Sequence, residues 1–430
     1  MALRELRGEG RGWTLLAIAT GWVFVLGGRF LVPAVLPQVK DAFAVGDVGA
    51  GVAVTIIWAT YGLMQTPAGL LVDRIGERRL LAGGVVLTAT SVVVIGAAPA
   101  FLAFLVGCGG FGLATGLYGP ARGTALSRTF PDHDGAAIGA TLAAGSVGSA
   151  VLPLAAGALV GNVGWRLLVG GLAAPLVAVA VLIWVTVPSF EIRGDATAAA
   201  DADVAAGDTT AVDTDTTVDG ETVADDEPTV GDIPVGDVLA AIRTRQVALA
   251  LTAITLMTFV FQGVSAFYVT YLTSVTGFSQ PTAAAMFALV FAGGAVAQLA
   301  AGGLADAFGD RPVLVAVSGV TIPVLVVIPV LDGEAAVAAA SLLLGVRLGA
   351  PAVSNAYIIA VLPESVTGTA WGLLRTTSFV LAAAGSTVVG AMADAKLFDE
   401  AFLLLAALTA VAALLYTRLP ARTAGGNSNT

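Results

Sequence analysis

The sequence predicts an all-α integral membrane protein with twelve transmembrane helices, arranged as two six-helix repeats around a central cavity. Three observations lead to this fold class: long apolar runs without charge, arginine clusters between the runs, and a second half that repeats the pattern of the first. Of the 430 residues, 57% are hydrophobic and only 12% are charged. A soluble chain of this length needs less apolar surface and more charge.

The charge-free runs define the membrane spans. Residues 48–72 have room for one crossing, and residues 80–121 and 246–305 have room for two each, since a spanning helix needs about 20 apolar residues. Turn signals such as Pro99 divide the longer runs. The spans are helices because an open strand in lipid leaves backbone groups without hydrogen bonds. The predicted spans are 14–36, 48–72, 80–98, 101–127, 136–160, 167–187, 246–273, 282–305, 313–331, 336–360, 368–392 and 399–419.

The distribution of arginine and lysine predicts the orientation. With both termini in the cytoplasm, thirteen arginines lie in cytoplasmic segments, and only Lys40, Arg166 and Lys396 lie outside. This asymmetry follows the positive-inside rule. The first span is too long for a signal peptide, and no small-residue cleavage site follows it. We therefore expect a multi-pass protein of the plasma membrane with both termini cytoplasmic.

Residues 191–237 depart from the apolar pattern. This segment has fourteen acidic residues and one base, and such a composition cannot bury enough apolar area to fold. We predict an acidic, disordered cytoplasmic linker between an N-terminal half (1–190) and a C-terminal half (238–420), with a cytoplasmic tail at 421–430. A partner-binding acidic segment is the alternative to a plain linker.

The second half repeats the first at an offset of 233 residues, which is the separation between Asp73 and Asp306. The same offset relates three further pairs, Gly69 and Gly302, Gly76 and Gly309, and Arg78 and Arg311. Six spans return the chain to the same side, so both halves have the same orientation. Repeated halves with a site at their interface are a transporter architecture, in which rocking of the halves opens the site to alternate sides.

The stretch GLLVDRIGERR at residues 69–79 resembles the loop 2–3 signature of the major facilitator superfamily. The second copy, at 302–312, is degenerate, with Ala307 where a base is usual, and GWR at 164–166 is also typical of the family. The resemblance implies a secondary transporter with a conformational latch, in which Asp73 meets the N-terminal end of span eleven. The latch residues it implies are Gly69, Asp73, Arg74, Gly76, Arg78, Arg79, Asp306, Gly309 and Arg311. For Arg78 and Arg79, the alternative is that they only set topology.

Four arginines lie inside the predicted spans: Arg29, Arg122, Arg347 and Arg375. No Asp or Glu lies within a span when Asp73 is counted at a span end. Charges inside a membrane usually face a cavity, and guanidinium groups bind carboxylate or phosphate well. The four arginines therefore predict a positive cavity for a small organic or inorganic anion. Snorkelling towards the membrane surface is the alternative for Arg122 and Arg375.

Neutral polar residues extend the predicted site. Gln262 occupies in span seven the position that Arg29 occupies in span one, and Asn355 corresponds to Arg122 in the same way. Tyrosines in the spans could line the cavity or belong to an interfacial belt. The predicted substrate-binding residues are Arg29, Arg347, Gln262, Arg375, Arg122, Asn355, Tyr268 and Tyr357.

The composition argues against an enzyme. The only histidine, His133, lies in a predicted loop and the only cysteine, Cys108, lies in a predicted span, so neither a metal cluster nor a Cys/His pair is available. We predict a secondary active or facilitative transporter that uses alternating access, with no metal, no cofactor and no nucleic-acid partner. Its partners are a small-molecule solute and membrane lipid, and we expect a monomer. The alternatives are a proton-coupled symporter or exporter of a neutral or drug-like solute, and a transporter-like sensor.

Overall fold

The computed structural model describes residues 10–189, 240–363 and 366–420. Within these ranges the secondary structure is helical and includes no strand, which agrees with the predicted fold class. The predicted acidic linker at 191–237 and the predicted tail at 421–430 lie outside the described residues.

Nine helices form the described part of the first half. They are α1 (Arg11–Ala34), α2 (Leu36–Phe43), α3 (Asp47–Leu63), α4 (Gln65–Ile75), α5 (Glu77–Ala97), α6 (Phe101–Thr129), α7 (Asp134–Val163), α8 (Trp165–Gly171) and α9 (Ala173–Thr186). Helices α2 and α3 meet at a bend of 120°. Only Met64, whose backbone is helical (φ −82°, ψ −9°), separates α3 from α4, so this pair covers the second predicted span, 48–72.

Seven helices form the described part of the second half. They are α10 (Arg245–Ser274), α11 (Gln280–Phe308), α12 (Asp310–Val327), α13 (Glu334–Gly345), α14 (Ala350–Val361), α15 (Thr367–Asp394) and α16 (Phe398–Thr417). A 3₁₀ turn at Val346–Gly349 joins α13 to α14. Pro351 lies in the first turn of α14, where its missing N–H is tolerated. The turn interrupts the tenth predicted span where Arg347 lies, and mid-helix 3₁₀ segments often mark functional sites.

Eleven spans in the described residues are long and apolar enough to cross a membrane, when α8–α9 and α13–α14 are each counted as one span. The number rises to twelve if the bent pair α2–α3 is also one span. The twelve-helix prediction is therefore confirmed. The second predicted span, 48–72, consists of the two helical segments α3 and α4 instead of one continuous helix.

The backbone reproduces the sequence repeat. Gly76 joins α4 to α5 with φ +78° and ψ 157°, and Gly309 joins α11 to α12 with φ +89° and ψ 158°. A positive φ of this size is readily adopted only by glycine. Two residues related by the 233-residue offset thus make the same turn at equivalent places in the two halves.

The most extensive contacts between the halves are made by two helix pairs, α3 with α15 and α7 with α11. Small residues allow this close approach. Gly51 lies against the carbonyl oxygen of Ser386, and Gly157 lies against the Cβ of Ala284, so a larger side chain at either glycine would collide. The central cavity lies between these two seams.

Candidate functional site

A cavity of about 600 Å³ lies between the two halves. Helices of both halves line it, among them α1, α3, α6 and α7 on one side and α10, α14, α15 and α16 on the other. Six of the eight predicted substrate-binding residues are on its wall: Arg29, Arg122, Gln262, Arg347, Asn355 and Arg375. The structure thus brings these six residues together, and their contact with a solute stays a prediction.

The two predicted tyrosines are not on the cavity wall. Tyr268 is buried, and its hydroxyl shares a hydrogen bond of 2.7 Å with Ser341 Oγ on α13. Tyr357 is buried in the apolar core of the second half. Both side chains project from faces of α10 and α14 that pack against neighbouring helices.

Arg29 is fixed on the wall by groups from α6 and α3. Its Nε donates to Thr115 Oγ1 (3.3 Å) and its Nη2 donates to the Thr115 carbonyl oxygen (3.2 Å). The guanidinium carbon lies 3.7 Å from the ring centroid of Tyr61, 5.4 Å from that of Trp58 and 5.7 Å from that of Trp22. A cation held over aromatic faces is stabilised by their quadrupoles. Arg29 is only 1% exposed.

Arg122 and Arg375 approach Arg29 from α6 and α15. Arg122 Nη1 donates to Thr141 Oγ1 (2.5 Å). The Nε atoms of Arg122 and Arg375 are buried, and neither has a hydrogen-bond partner in the described part of the chain. Arg375 is close enough to interact electrostatically with both Arg29 and Arg122. We refer to these three residues as the arginine cluster.

Arg347 lies on the second-half wall, in the 3₁₀ turn before α14, and is 3% exposed. Its Nη2 donates to the carbonyl oxygen of Met257, and its guanidinium carbon is 4.9 Å from the ring centroid of Phe261. Its Nε has no hydrogen-bond partner among the described residues. The break in the helix lets this side chain reach the cavity from the middle of a span.

Gln262, the repeat partner of Arg29, is fully buried on the wall of the cavity. Neither Nε2 nor Oε1 of its side chain has a hydrogen-bond partner in the described ranges. Its backbone carbonyl accepts a hydrogen bond from Ser386 Oγ (3.1 Å), which fixes the position of the helix. An unsatisfied buried polar group costs about 1–3 kcal/mol, so a ligand that pairs with this amide would gain affinity.

The charges on the wall are all of one sign. Four of the described wall residues are arginines and none is Asp or Glu. A desolvated cation without a counter-charge is costly, so an anion in the cavity would offset that cost. The arrangement is suited to binding a negatively charged group.

Most of the aromatic residues on the cavity wall were not predicted from the sequence. The aromatic residues on this wall are Trp22, Phe30, Trp58, Tyr61, Phe261, Phe291, Trp371, Phe379 and Tyr416. One usable signal was present: Trp58, Tyr61 and Gln65 follow the i, i+3, i+7 spacing of one helix face. The other aromatic residues lie in helices that are apolar on every face, so the sequence does not indicate which of them line the cavity.

Most of the predicted latch residues lie at the opposite end of the helices from α2, which we call the arginine-rich end. Gly69 is on the cavity wall, and Gly76 and Gly309 form the turns described above. The guanidinium carbon of Arg78 lies 4.6 Å from the ring centroid of Trp184 on α9. The remaining latch residues are exposed: Asp73, Arg74, Arg79, Asp306 and Arg311. In the described part of the chain, no hydrogen bond or ion pair joins Asp73 to α15, and the latch stays a prediction.

Glu77, which the sequence argument did not single out, is also at the arginine-rich end. It is 2% exposed, and its Oε1 accepts a hydrogen bond of 3.0 Å from Arg128 at the end of α6. This ion pair ties the start of α5 to α6 within the first half. The signal for it in the sequence was an acidic residue directly before Arg78 and Arg79.

At the end that carries α2, which we call the closed end, the halves are joined directly. Asp394 accepts hydrogen bonds from the first turn of α3, and Gln280 Nε2 donates to the carbonyl oxygen of Ala34 (2.7 Å). Towards the arginine-rich end, Thr66 Oγ1 and Thr376 Oγ1 share a hydrogen bond of 2.9 Å. Gly69, one turn further along α4, is already on the cavity wall. The cavity therefore extends towards the arginine-rich end.

Curated relatives match a limited part of the chain. It is 28% identical over 155 residues to the multidrug resistance protein Stp of Mycobacterium tuberculosis (strain CDC 1551 / Oshkosh). This aligned stretch covers 36% of this chain and 29% of that protein. The chain is 33% identical over 145 residues to the uncharacterised MFS-type transporter Rv1250 of Mycobacterium tuberculosis (strain ATCC 25618 / H37Rv). This second aligned stretch covers 31% of this chain and 23% of that protein. The aligned part thus spans less than a third of the length of these relatives.

Solved structures match nearly the whole chain. A bacterial homologue of the human lysosomal transporter Spinster, in an inward-facing and unoccupied conformation, superposes with a TM-score of 0.76 at 16% identity, covering 95% of this chain and 96% of that one. The nucleoside transporter NupG superposes with a TM-score of 0.73 at 14% identity, covering 95% and 99%. The sequence itself matches the Major Facilitator Superfamily over residues 18–351 and 269–430. The chain therefore belongs to the Major Facilitator Superfamily.

Proposed function

We propose that this transporter carries a small anion across the membrane by alternating access, as a secondary active or a facilitative carrier. The observation that carries the proposal is the cavity wall, with four buried or half-buried arginines and no acidic residue among its described members. Three of the arginines have a buried Nε without a hydrogen-bond partner in the described ranges. Charge-assisted hydrogen bonds from guanidinium to carboxylate or phosphate are strong and directional.

The orientation belongs to the same proposal. With both termini in the cytoplasm, the arginine-rich end faces the cytoplasm and the conformation is inward-facing. The hydrogen bonds between the halves at the closed end support this assignment. In the opposite state, the halves would part at Asp394 and close around Asp73. We place the protein in the plasma membrane as a monomer, in contact with lipid through its apolar helix faces.

Exchange or facilitated movement ranks above proton symport in this proposal. Proton-coupled carriers commonly use a membrane-embedded carboxylate, and the described wall of this cavity has none. The second candidate function is export of a drug-like solute. The aromatic part of the wall supports it, and one relative is named as a multidrug resistance protein.

A thermal-shift screen of the purified protein tests the choice between these functions. Carboxylates, phosphate and sulfonates are compared with neutral amides and quaternary amines at matched concentrations. Because a ligand that binds only the folded state raises the unfolding temperature, we expect stabilisation by at least one anion class. Arg375→Gln should abolish that stabilisation, and Arg245→Gln, at the exposed start of α10, should keep it. Stabilisation by neutral or cationic solutes alone would contradict the anion proposal.

A flux measurement separates a transporter from a transporter-like sensor. The anion that gives the largest thermal shift is supplied with an isotopic label to proteoliposomes that contain the protein. A transporter accumulates or exchanges the label faster than protein-free liposomes do. Binding without flux would indicate a sensor.

A further inference from the structure

Aromatic rings from both halves meet inside the cavity. The ring of Phe30 on α1 lies with its centroid 4.7 Å from that of Phe291, 5.7 Å from that of Phe261 and 5.8 Å from that of Trp58. Phe30 and Trp58 belong to the first half, and Phe261 and Phe291 belong to the second. All four line the cavity, so its wall includes an aromatic surface shared by the two halves, next to aliphatic residues such as Leu26, Ile254 and Leu348.

This aromatic surface is continuous with the arginine cluster. Trp58 and Phe379 lie nearly parallel across the interface between the halves, with 8° between their planes and 6.2 Å between their centroids. Tyr61 packs edge-on against Phe379, with a centroid distance of 5.1 Å, and carries Arg29 over its face. The guanidinium carbon of Arg375 lies 5.8 Å from the centroid of Phe379. Cations and ring faces are therefore immediate neighbours on one wall.

Three further groups on the wall are free to form hydrogen bonds. The indole Nε1 atoms of Trp22 and Trp58 are buried and have no partner among the described residues, and the same holds for the side-chain amide of Gln262. An indole N–H only donates, whereas the amide both donates and accepts. A solute with a ring hydroxyl or a ring nitrogen would satisfy such groups.

We propose that the cargo is an aromatic organic anion, whose acidic group binds the arginine cluster and whose flat ring system packs on Trp58, Phe261 and Phe379. This inference rests on the proposed anion transport. An inorganic anion would pair with the arginines but would leave the aromatic surface uncovered. An aliphatic acid would cover that surface but lose the geometry-specific attraction between aromatic rings, which is worth about three- to tenfold in affinity.

Isothermal titration calorimetry of the purified full-length protein tests the inference with four probes. They are 2-naphthoate, decahydro-2-naphthoate, 2-naphthamide and inorganic phosphate. The first two have the same carbon skeleton and charge and differ in aromaticity, and the third keeps the ring system without the charge. We expect 2-naphthoate to bind at least about threefold more tightly than decahydro-2-naphthoate, and more tightly than the other two probes.

Variants locate the binding surface. Phe379→Leu should weaken binding of 2-naphthoate about three- to tenfold and leave binding of decahydro-2-naphthoate within about twofold, because leucine keeps the apolar contact without the ring. The unchanged affinity for the saturated probe also shows that the variant is folded. Arg375→Gln should weaken binding of both carboxylates. Trp13→Leu, at a tryptophan that is 61% exposed, is the control and should change neither affinity.

The outcomes separate this inference from the proposed function. Equal binding of the two carboxylates, or tighter binding of phosphate than of 2-naphthoate, would overturn the aromatic cargo and leave anion transport standing. Binding of 2-naphthamide as tight as that of 2-naphthoate would overturn both. Failure of 2-naphthoate to bind at millimolar concentration would overturn the aromatic cargo.

Discussion

The carboxylate of Asp394 accepts two hydrogen bonds across the interface between the halves, from the backbone N–H of Asp47 (2.7 Å) and that of Val48 (2.8 Å). Asp394 ends α15 in the second half, and Asp47 begins α3 in the first. The negative charge therefore caps the positive end of a helix in the other half. Gly46 makes room for it, since a Cβ at that position would lie 2.6 Å from Asp394 Oδ2. This contact helps to hold the closed end together.

Asp394→Asn should open the closed end more often. The change removes the charge and one acceptor, and such helix-end interactions are worth about 0.3–2 kcal/mol, enough to shift a two-state population several-fold. Spin labels at the exposed positions Asp41 and Glu400, on opposite halves at this end, report the separation by pulsed electron resonance. We expect a larger share of long distances. Asp332→Asn, in an exposed loop, is the matched control, and an equal shift there would refute the explanation.

Asp73→Asn should shift the same distance distribution in the opposite direction. Asp73 is exposed in this conformation, so the substitution removes an interaction only from the state in which the arginine-rich end closes on α15. The conformation described here should become more populated, with expression unchanged. A shift in the same direction as that of Asp394→Asn would contradict the latch. An unchanged distance distribution together with normal transport would also contradict the latch.

Gly148→Ala should lower the unfolding temperature. A Cβ at this position of α7 would collide with the backbone carbonyl of Val23 on α1, so the two helices would have to move apart. Overpacking of this kind costs about 1–3 kcal/mol. Gly139→Ala, on the same helix with nothing within 4 Å of its Cβ, should leave the unfolding temperature unchanged or slightly higher. Similar melting curves for the two variants would show that the close packing of α1 and α7 is unimportant.

Gln262→Ala should weaken the apparent affinity for the transported anion without abolishing transport. The amide offers a neutral hydrogen bond, and such a bond is roughly half as strong as one from an arginine. We expect KM to rise about threefold to tenfold, and less than in the arginine variants. Gln246→Ala, at the exposed start of the same helix, should have no effect and serves as the control. An unchanged KM for Gln262→Ala would exclude this residue from the site.

The sequence was sufficient to predict the helices and their repeat. Charge-free runs give the spans because lipid requires apolar helices of a fixed length, and the glycines at Gly76 and Gly309 identify equivalent turns. The break around Arg347 and the bend before Asp47 were not predicted. Both depend on how a helix packs against its neighbours, which the composition of a uniformly apolar stretch does not encode.

The candidate site was predictable in its charged part and at the two neutral positions that the repeat relates to arginines, Gln262 and Asn355. An arginine inside a span is rare enough to indicate a cavity, so Arg29, Arg122, Arg347 and Arg375 were predicted to line one, with snorkelling as the alternative for Arg122 and Arg375. All four lie on the cavity wall. A tyrosine carries no such signal, because Tyr61 on the wall and Tyr268 in the core lie in equally apolar surroundings. The packing of the two halves determines which face of α3 or α10 lines the cavity.

The initial rate of anion uptake into proteoliposomes by Arg29→Gln and Arg347→Gln is the most direct test of the central claim, that the wall arginines bind an anionic cargo. The anion is the one with the largest thermal shift on the wild-type protein. We expect uptake by each variant to fall at least about tenfold, because a hydrogen bond to a charged group contributes about 1.5–3 kcal/mol. Arg245→Gln should transport at the wild-type rate. Uptake at the wild-type rate by both Arg29→Gln and Arg347→Gln would contradict the claim.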